Sequence, residues 1–241
     1  MNLIIDVGNT RTKLAVFKDS KMVHFEIFNQ NNLYQKVENC VKKFNCNHAI
    51  ISFVGAIEKD ETDKIKECIR LIELTNTTNV PFKNCYKSPK TLGVDRIALV
   101  AAAFEQFPNK NVLIIDAGTC ITYDFIDNKG RYHGGAISPG ISMRYKAVHT
   151  FTDKLPKLTP VFLDKLIGDT TENSLHIGIL GGVISEIDSF IDKYRKKNME
   201  LTVVLTGGDA NFLANRLKNS IFANPKFLLQ GLNTILTYNL K

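Results

Sequence analysis

No C-x-x-C joins any two of the five cysteines (Cys40, Cys46, Cys68, Cys85 and Cys120), and an odd count without that spacing indicates neither a disulfide framework nor a zinc site. They read as reduced packing residues. The five histidines show no H-E-x-x-H or other metal-ligand spacing. No run of about 18 apolar residues occurs, and the chain enters a strand directly, without a basic leader or a small-residue cleavage site. Neither export nor a membrane span is expected, and the cytoplasm is the predicted compartment. Concentrated charge is missing too. The net charge is +7, yet Lys and Arg are scattered, and the densest patch, Lys193-Tyr194-Arg195-Lys196-Lys197, falls at the end of a predicted helix, where the macrodipole favours cations. A nucleic-acid partner is therefore not expected.

What is present is a chain of 241 residues, 44% hydrophobic and 23% charged, enough for one large or two modest domains. It opens on Leu3-Ile4-Ile5-Asp6-Val7-Gly8-Asn9-Thr10-Arg11-Thr12-Lys13, a buried strand ending in a polar turn. Gly8 permits close approach, backbone N–H groups and a hydroxyl supply donors, Lys13 can reach an anion from the next strand, and Asp6 can hold Mg²⁺. That chemistry suits a phosphate, although a single copy is as well explained by a hairpin turn with a solvated lysine. A second copy exists. Leu113-Ile114-Ile115-Asp116-Ala117-Gly118-Thr119-Cys120 repeats the first eight positions at a constant offset of 110 residues. In each half a strand, a polar turn and a third strand follow, so the chain reads as two βββ-containing halves, 1–108 and 109–241.

Between the repeats, 31–44 is predicted as an amphipathic helix burying Leu33, Val37, Cys40, Val41 and Phe44, and 48–54 as a strand ending in Ser52-Phe53-Val54-Gly55. A second helix is expected over 60–74, burying Ile65, Cys68, Ile69 and Ile72. The irregular stretch 75–90 holds Pro81 and Pro89 and places Tyr86 just before a motif, either as a ligand contact or as a plug over the core. A helix begins near Val94, with Asp95 and Arg96 in its first turn. The dipole favours the acid there but not the Arg, which calls for an anionic substrate or a carboxylate as partner. In the second half, Gly134, Gly135, Pro139 and Gly140 imply backbone passing close to a ligand or to the other half. A polar cap at 168–173 precedes a helix over 174–195, and the strand 201–205 ends in Thr206-Gly207-Gly208-Asp209-Ala210.

The paired Asp-x-Gly halves resemble the actin, Hsp70 and sugar-kinase superfamily of ATP-binding proteins. That resemblance implies an α/β fold: a duplicated ribonuclease H-like, two-domain architecture with mixed central sheets and an interdomain ATP cleft. Taken together, D-V-G-N-T-R-T-K, G-V-D-R, D-A-G-T, G-G-A-I-S-P-G and T-G-G-D-A, in this order over nearly the whole chain, look like type III pantothenate kinase. The family resemblance implies phosphorylation of pantothenate by ATP, the first step of coenzyme A synthesis, in a cytoplasmic homodimer that needs Mg²⁺ and K⁺ or NH₄⁺. It also implies site roles. Asp6, Val7, Gly8, Asn9, Thr10, Arg11, Thr12 and Lys13 would form the ATP-phosphate loop, with Asp6 near Mg²⁺, and Thr119 and the Gly207-Gly208 turn would contact ATP. Asp116 would hold the monovalent cation. Tyr86, Gly93, Val94, Asp95, Arg96 and Thr171 would bind pantothenate, with Asp95 as the base for the attacking hydroxyl. The sequence departs from the family at Cys120, where Ala is usual, and at Thr170, Ser174 and Leu175 around Thr171, where Asn, Ala and Met are common. The competing readings are another small-molecule kinase of the superfamily and a non-catalytic regulator similar to Bvg accessory factors.

Overall fold

The computed structural model describes residues 1–8, 11–29, 32–53, 59–198 and 200–241. Strand β1 (Asn2–Val7) is central to the first sheet because its side chains from Leu3 to Val7 are all buried. Antiparallel β2 (Thr12–Lys18) and parallel β4 (His48–Phe53) flank it, with β3 (Lys21–Phe28) and β5 (Arg70–Glu73) outside, in the order β3-β2-β1-β4-β5. Alternation sends Leu3, Ile5 and Val7 to one face, where α1 (Leu33–Phe44) and α2 (Lys59–Cys68) close a core through Leu33, Val37, Cys40, Ile65 and Ile69. Ile4 and Asp6 therefore belong to the opposite face, which packs against α3 (Val94–Gln106) and the C-terminal helix (α8, Phe227–Asn239). A two-residue strand, β6 (Lys83–Asn84), pairs in parallel with Arg131 and Tyr132. All of this forms one compact unit: residues 1–108, 130–132 and 226–241.

The helix expected over 60–74 stops at Cys68. Residues Arg70 to Glu73 instead pair in parallel with His48 to Ile51, and Leu74 N–H extends the ladder to Ile51 O at 2.9 Å. An open sheet edge offered the apolar Leu71-Ile72 pair backbone partners that a further helical turn does not, so sheet context overrode the helical period.

Helices α3 and α8 meet closely at Gly231, where a methyl group would overlap the carbonyl oxygen of Ala98. Gly231→Ala is therefore expected to lower stability by about 1–3 kcal/mol through overpacking. Thermal unfolding should show a Tm lowered by about 2–4 °C for each kcal/mol. An unchanged Tm would mean that the two helices slide apart freely.

The second unit comprises 109–129 and 133–225. Its strands β7 (Asn111–Ala117), β8 (Cys120–Ile126), β9 (Arg131–Pro139, from His133 onward), β10 (Leu201–Thr206) and β11 (Phe222–Ala223) run in the order β11-β10-β7-β8-β9, and β6 follows β9 in the six-stranded sheet. Counted from β7, this is the strand order of the first sheet, with an antiparallel neighbour on one side of the central strand and a parallel one on the other. The duplication is thus topological as well as sequential. On one face Leu113, Ile115, Ala117, Ile121 and Tyr123 pack beneath α4 (Ile141–Thr150) and a long helix. That helix runs unbroken through α5 (Thr171–His176), a π-helical stretch at Ile177–Gly181 and α6 (Gly182–Lys197). By length and composition alone it could cross a membrane. Leu180, Val183, Ile187 and Ile191 on it belong to the core of the unit.

Gly135 on β9 and Gly140 just after it meet backbone of their own unit. A methyl at Gly135 would overlap Tyr123 O on β8, and one at Gly140 would overlap Gly118 O and approach Thr119 O in the D-A-G-T turn. These tight approaches are backbone against backbone within the unit.

Candidate active site

The register of the first sheet builds the surroundings of Asp6. Lys13 stands directly across from it on β2 and Ser52 directly across on β4, so both side chains share its face. Lys13 Nζ donates to Asp6 Oδ2 at 3.1 Å and Ser52 Oγ donates to Oδ1 at 3.0 Å. The Asp6 side chain is 8% exposed and that of Lys13 36%, so the lysine extends from a buried anchor towards solvent. Ser52 was not singled out as a site residue from the sequence. Its signal was a polar residue at the same end of a parallel strand as Asp6.

Around the turn, Gly8 N–H donates to Arg11 O at 3.1 Å. Thr12 pairs with Val7 and is fully buried on the core face, away from Asp6, and its hydroxyl finds no partner among the described residues. Asn9 and Thr10 lie outside the described residues.

The second copy departs from the first by one residue. Asp116 pairs with Thr122 on β8 and with Thr206 on β10, whereas Gly118 N–H closes its turn on Cys120 O at 2.9 Å. Cys120 thus takes the place of Arg11 rather than of Thr10, and the eight-position register holds for seven. The consequence is chemical. Where Asp6 has a lysine and a serine across from it, Asp116 has two threonines, and the buried Thr122 Oγ1 has no hydrogen-bond partner among the described residues.

The surrounding backbone is tightly specified. Gly207, at φ +96°, leaves no room for a methyl, which would overlap Ala117 O and Asp116 Oδ1, while Gly208 opens onto empty space. Asp209 N–H donates to Ala117 O at 3.0 Å, and burial raises the Asp209 carboxyl pKa above its ordinary value. Thr119 is exposed, and its carbonyl accepts from Gly140 N–H at 3.0 Å. Arg144 steadies this corner from beneath, donating to Pro139 O at 2.9 Å, Ser138 Oγ at 2.8 Å and Glu186 Oε2 at 2.5 Å, and Tyr123 Oη donates to Glu186 Oε1 at 2.9 Å. Burial alone would raise the Glu186 carboxyl, but the bonds from Arg144, Ser138 and Tyr123 outweigh it and hold its pKa low.

In the first unit, the G-V-D-R stretch forms the start of α3, with Gly93 at its N-cap. Asp95 is half-buried, and its Oδ1 accepts the N–H of Arg96 at 2.8 Å, which fixes the carboxylate at the positive end of the helix. Arg96 is 5% exposed. Its guanidinium lies over the Tyr86 ring, 5.5 Å from the centroid, and Tyr86 in turn stacks on the buried Tyr132 with centroids 6.0 Å apart. The structure therefore brings Tyr86 and Arg96 together, and Tyr132 is the support that the sequence did not disclose. Thr171 is the exposed first residue of α5. It follows Thr170, whose Oγ1 accepts from Asn173 N–H at 3.1 Å, and Asp169, whose carboxyl is held at about 2 by bonds from Asn173 and Lys165.

The signature of the family described as type III pantothenate kinase spans residues 2–193. A type III pantothenate kinase of Flavobacterium johnsoniae is 46% identical over 241 residues, covering 100% of this chain and 99% of that protein. One of Christiangramia forsetii is 48% identical over 240 residues, covering 99% of each. The chain belongs to the type III pantothenate kinase family. It is a phosphotransferase, and it phosphorylates pantothenate at the expense of ATP. Among solved structures, a conserved protein of the Baf family of transcriptional activators from Campylobacter jejuni matches with a TM-score of 0.65 at 24% identity, covering 99% of this chain and 98% of that one. An inorganic polyphosphate/ATP-glucomannokinase from an Arthrobacter species matches at 0.51 and 12%, covering 99% and 100%. These two likenesses establish the actin, Hsp70 and sugar-kinase type of fold, with mixed sheets. The type III kinase signature takes in both Asp-x-Gly turns and the G-V-D-R stretch, and the Gly207-Gly208 turn lies in the part shared with the full-length relatives.

Proposed function

We propose that the chain transfers the γ-phosphoryl group of ATP to the primary hydroxyl of pantothenate, giving 4'-phosphopantothenate, with the phosphate turn and acceptor site in the N-terminal half and the cation and adenosine turns in the C-terminal half. The interdomain ATP cleft implied by the superfamily resemblance belongs to this proposal. The observation that carries it is the pairing of Asp95 and Arg96 at one helix start, with Tyr86 laid over the guanidinium. An arginine held by an aromatic face suits a carboxylate, which pantothenate carries, and a carboxylate one residue away suits a hydroxyl. Gly93, Val94 and Thr171 complete the acceptor contacts in this reading.

On the nucleotide side, Asp6 to Lys13 hold the phosphates through backbone N–H groups and the Lys13 ammonium, while Thr119, Gly207 and Gly208 contact the rest of ATP. Asp6 fits a Mg²⁺ role as a carboxylate held at the end of β1 by Lys13 and Ser52. Asp116 fits K⁺ or NH₄⁺, an oxygen-seeking monovalent ion, because its cross-strand neighbours are hydroxyls rather than an ammonium. When bound, these cations supply neutralisation of charge on the phosphates. Phosphoryl transfer has a loose transition state, so the protein's own part is to align the hydroxyl, donate hydrogen bonds to the phosphate oxygens and take the proton late on Asp95. We place the enzyme in the cytoplasm as a homodimer acting on small molecules, without nucleic-acid or membrane partners.

The test is the product. Incubation with pantothenate and Mg²⁺–ATP should yield a monophosphate whose phosphorus couples to the primary CH₂–O protons in NMR; phosphate on the secondary hydroxyl, or none, contradicts the reading. Asp116→Asn should raise the K⁺ concentration for half-maximal rate by about tenfold or more, equivalent to about 1.4 kcal/mol of lost carboxylate–cation interaction. An unchanged K⁺ dependence would remove Asp116 from the cation site.

A further inference from the structure

Away from the kinase site, β3 and α1 interlock in a regular way. Alternation puts His24, Glu26 and Phe28 on one face of the strand, and the helical period puts Lys36, Cys40 and Phe44 along one line of the helix. The two rows meet in antiparallel order: the His24 ring lies tilted against Phe44 with centroids 4.8 Å apart, Lys36 lies 5.6 Å from the Phe28 ring centroid, and the middle of the seam is left to Glu26 and Cys40. There the His24, Glu26 and Cys40 ligand atoms all lie within 4.8 Å of one another. His24 Nε2 and Glu26 Oε2 are 3.9 Å apart, and Lys36 pairs with the other oxygen, Oε1.

We propose that His24 Nε2, Glu26 Oε2 and Cys40 Sγ form a site for a zinc-type divalent cation that ties edge strand β3 to α1. Nitrogen, sulfur and oxygen donors of these types are the set such an ion takes, and donors around one ion stand roughly 3–4 Å apart, so closure needs side-chain adjustments of about an ångström. Three protein donors leave a fourth position for water. Lys36 can stay on Oε1, because the ion needs only Oε2. Binding converts the Cys40 thiol to thiolate and releases its proton to solvent. The spacing in the chain, two residues within a strand and then fourteen to a helix, matches no linear metal motif, which is why the sequence conceals it.

The probe is Co²⁺, followed by Zn²⁺ in competition with a chelating dye, on the full-length, tag-free, reduced protein. One equivalent of Co²⁺ should give a thiolate-to-cobalt charge-transfer band, which one equivalent of Zn²⁺ abolishes. Cys40→Ser should lose the band, and His24→Gln should weaken Zn²⁺ binding by about 100-fold or more, beyond the 10–100-fold typical of losing an outer partner. Pantothenate turnover should be unchanged in His24→Gln, since the trio is separate from the reacting groups. Absence of the band from the unmutated protein overturns the proposal whether or not the Cys40 variant folds. So does a band that survives in folded Cys40→Ser, because it would come from another cysteine.

Discussion

Asp95→Asn is expected to leave ATP binding nearly intact while lowering kcat by a factor on the order of 10² or more, the usual scale for losing a positioned general base. The amide is isosteric and can still accept the Arg96 N–H that now holds Asp95 Oδ1 at 2.8 Å, so the start of α3 should be preserved. What disappears is the acceptor for the hydroxyl proton. ATP affinity by calorimetry and steady-state kinetics for pantothenate separate the two effects. A fully active Asp95→Asn enzyme would take the residue out of the proton transfer and leave it as a helix-start acid, which the dipole alone would justify.

Lys13→Met should lose about 10²–10³-fold in kcat/KM for ATP, the scale of removing one donor aimed at developing charge, with the KM for pantothenate little changed. Folding stability should fall as well, because the nearly buried Asp6 would lose the ammonium and keep the Ser52 hydroxyl. Breaking a fully buried pair costs about 3–5 kcal/mol, but Lys13 is partly exposed and solvent screens it, so about 1–2 kcal/mol is expected here. Asp6→Asn in the same background should restore much of that stability without restoring rate. Stability restored together with activity would show that Lys13 serves the fold rather than the phosphates.

Much of this layout was legible in the chain before the structure. Eight apolar and polar positions repeated around Asp6 and Asp116 were enough to predict duplicated halves, and the two sheets do share one strand order. The repeat misled at its last position. A turn shorter by one residue leaves the apolar alternation of β8 intact, with Ile121 and Tyr123 still in the core, so the hydrophobic pattern did not reveal the shift that sets Thr122 rather than Tyr123 across from Asp116.

Other elements were hidden for a related reason. Arg70 to Glu73 became a strand because β4 offered an open edge, and Ser52 became a partner of Asp6 through parallel register; both depend on a neighbour chosen by the sheet. Tyr132 supports Tyr86 across 46 residues of sequence. Gly135 and Gly140 were recognised as close approaches, but their partners, Tyr123 on β8 for the first and the D-A-G-T turn for the second, became apparent only once the strands were laid side by side.

The most direct measurement is the initial rate of ADP release with Mg²⁺–ATP, with and without pantothenate, in matched K⁺ and Na⁺ buffers. The account predicts a rate that requires pantothenate and collapses when Na⁺ replaces K⁺. ADP release indifferent to pantothenate, or none in either buffer while ATP still binds, would contradict it.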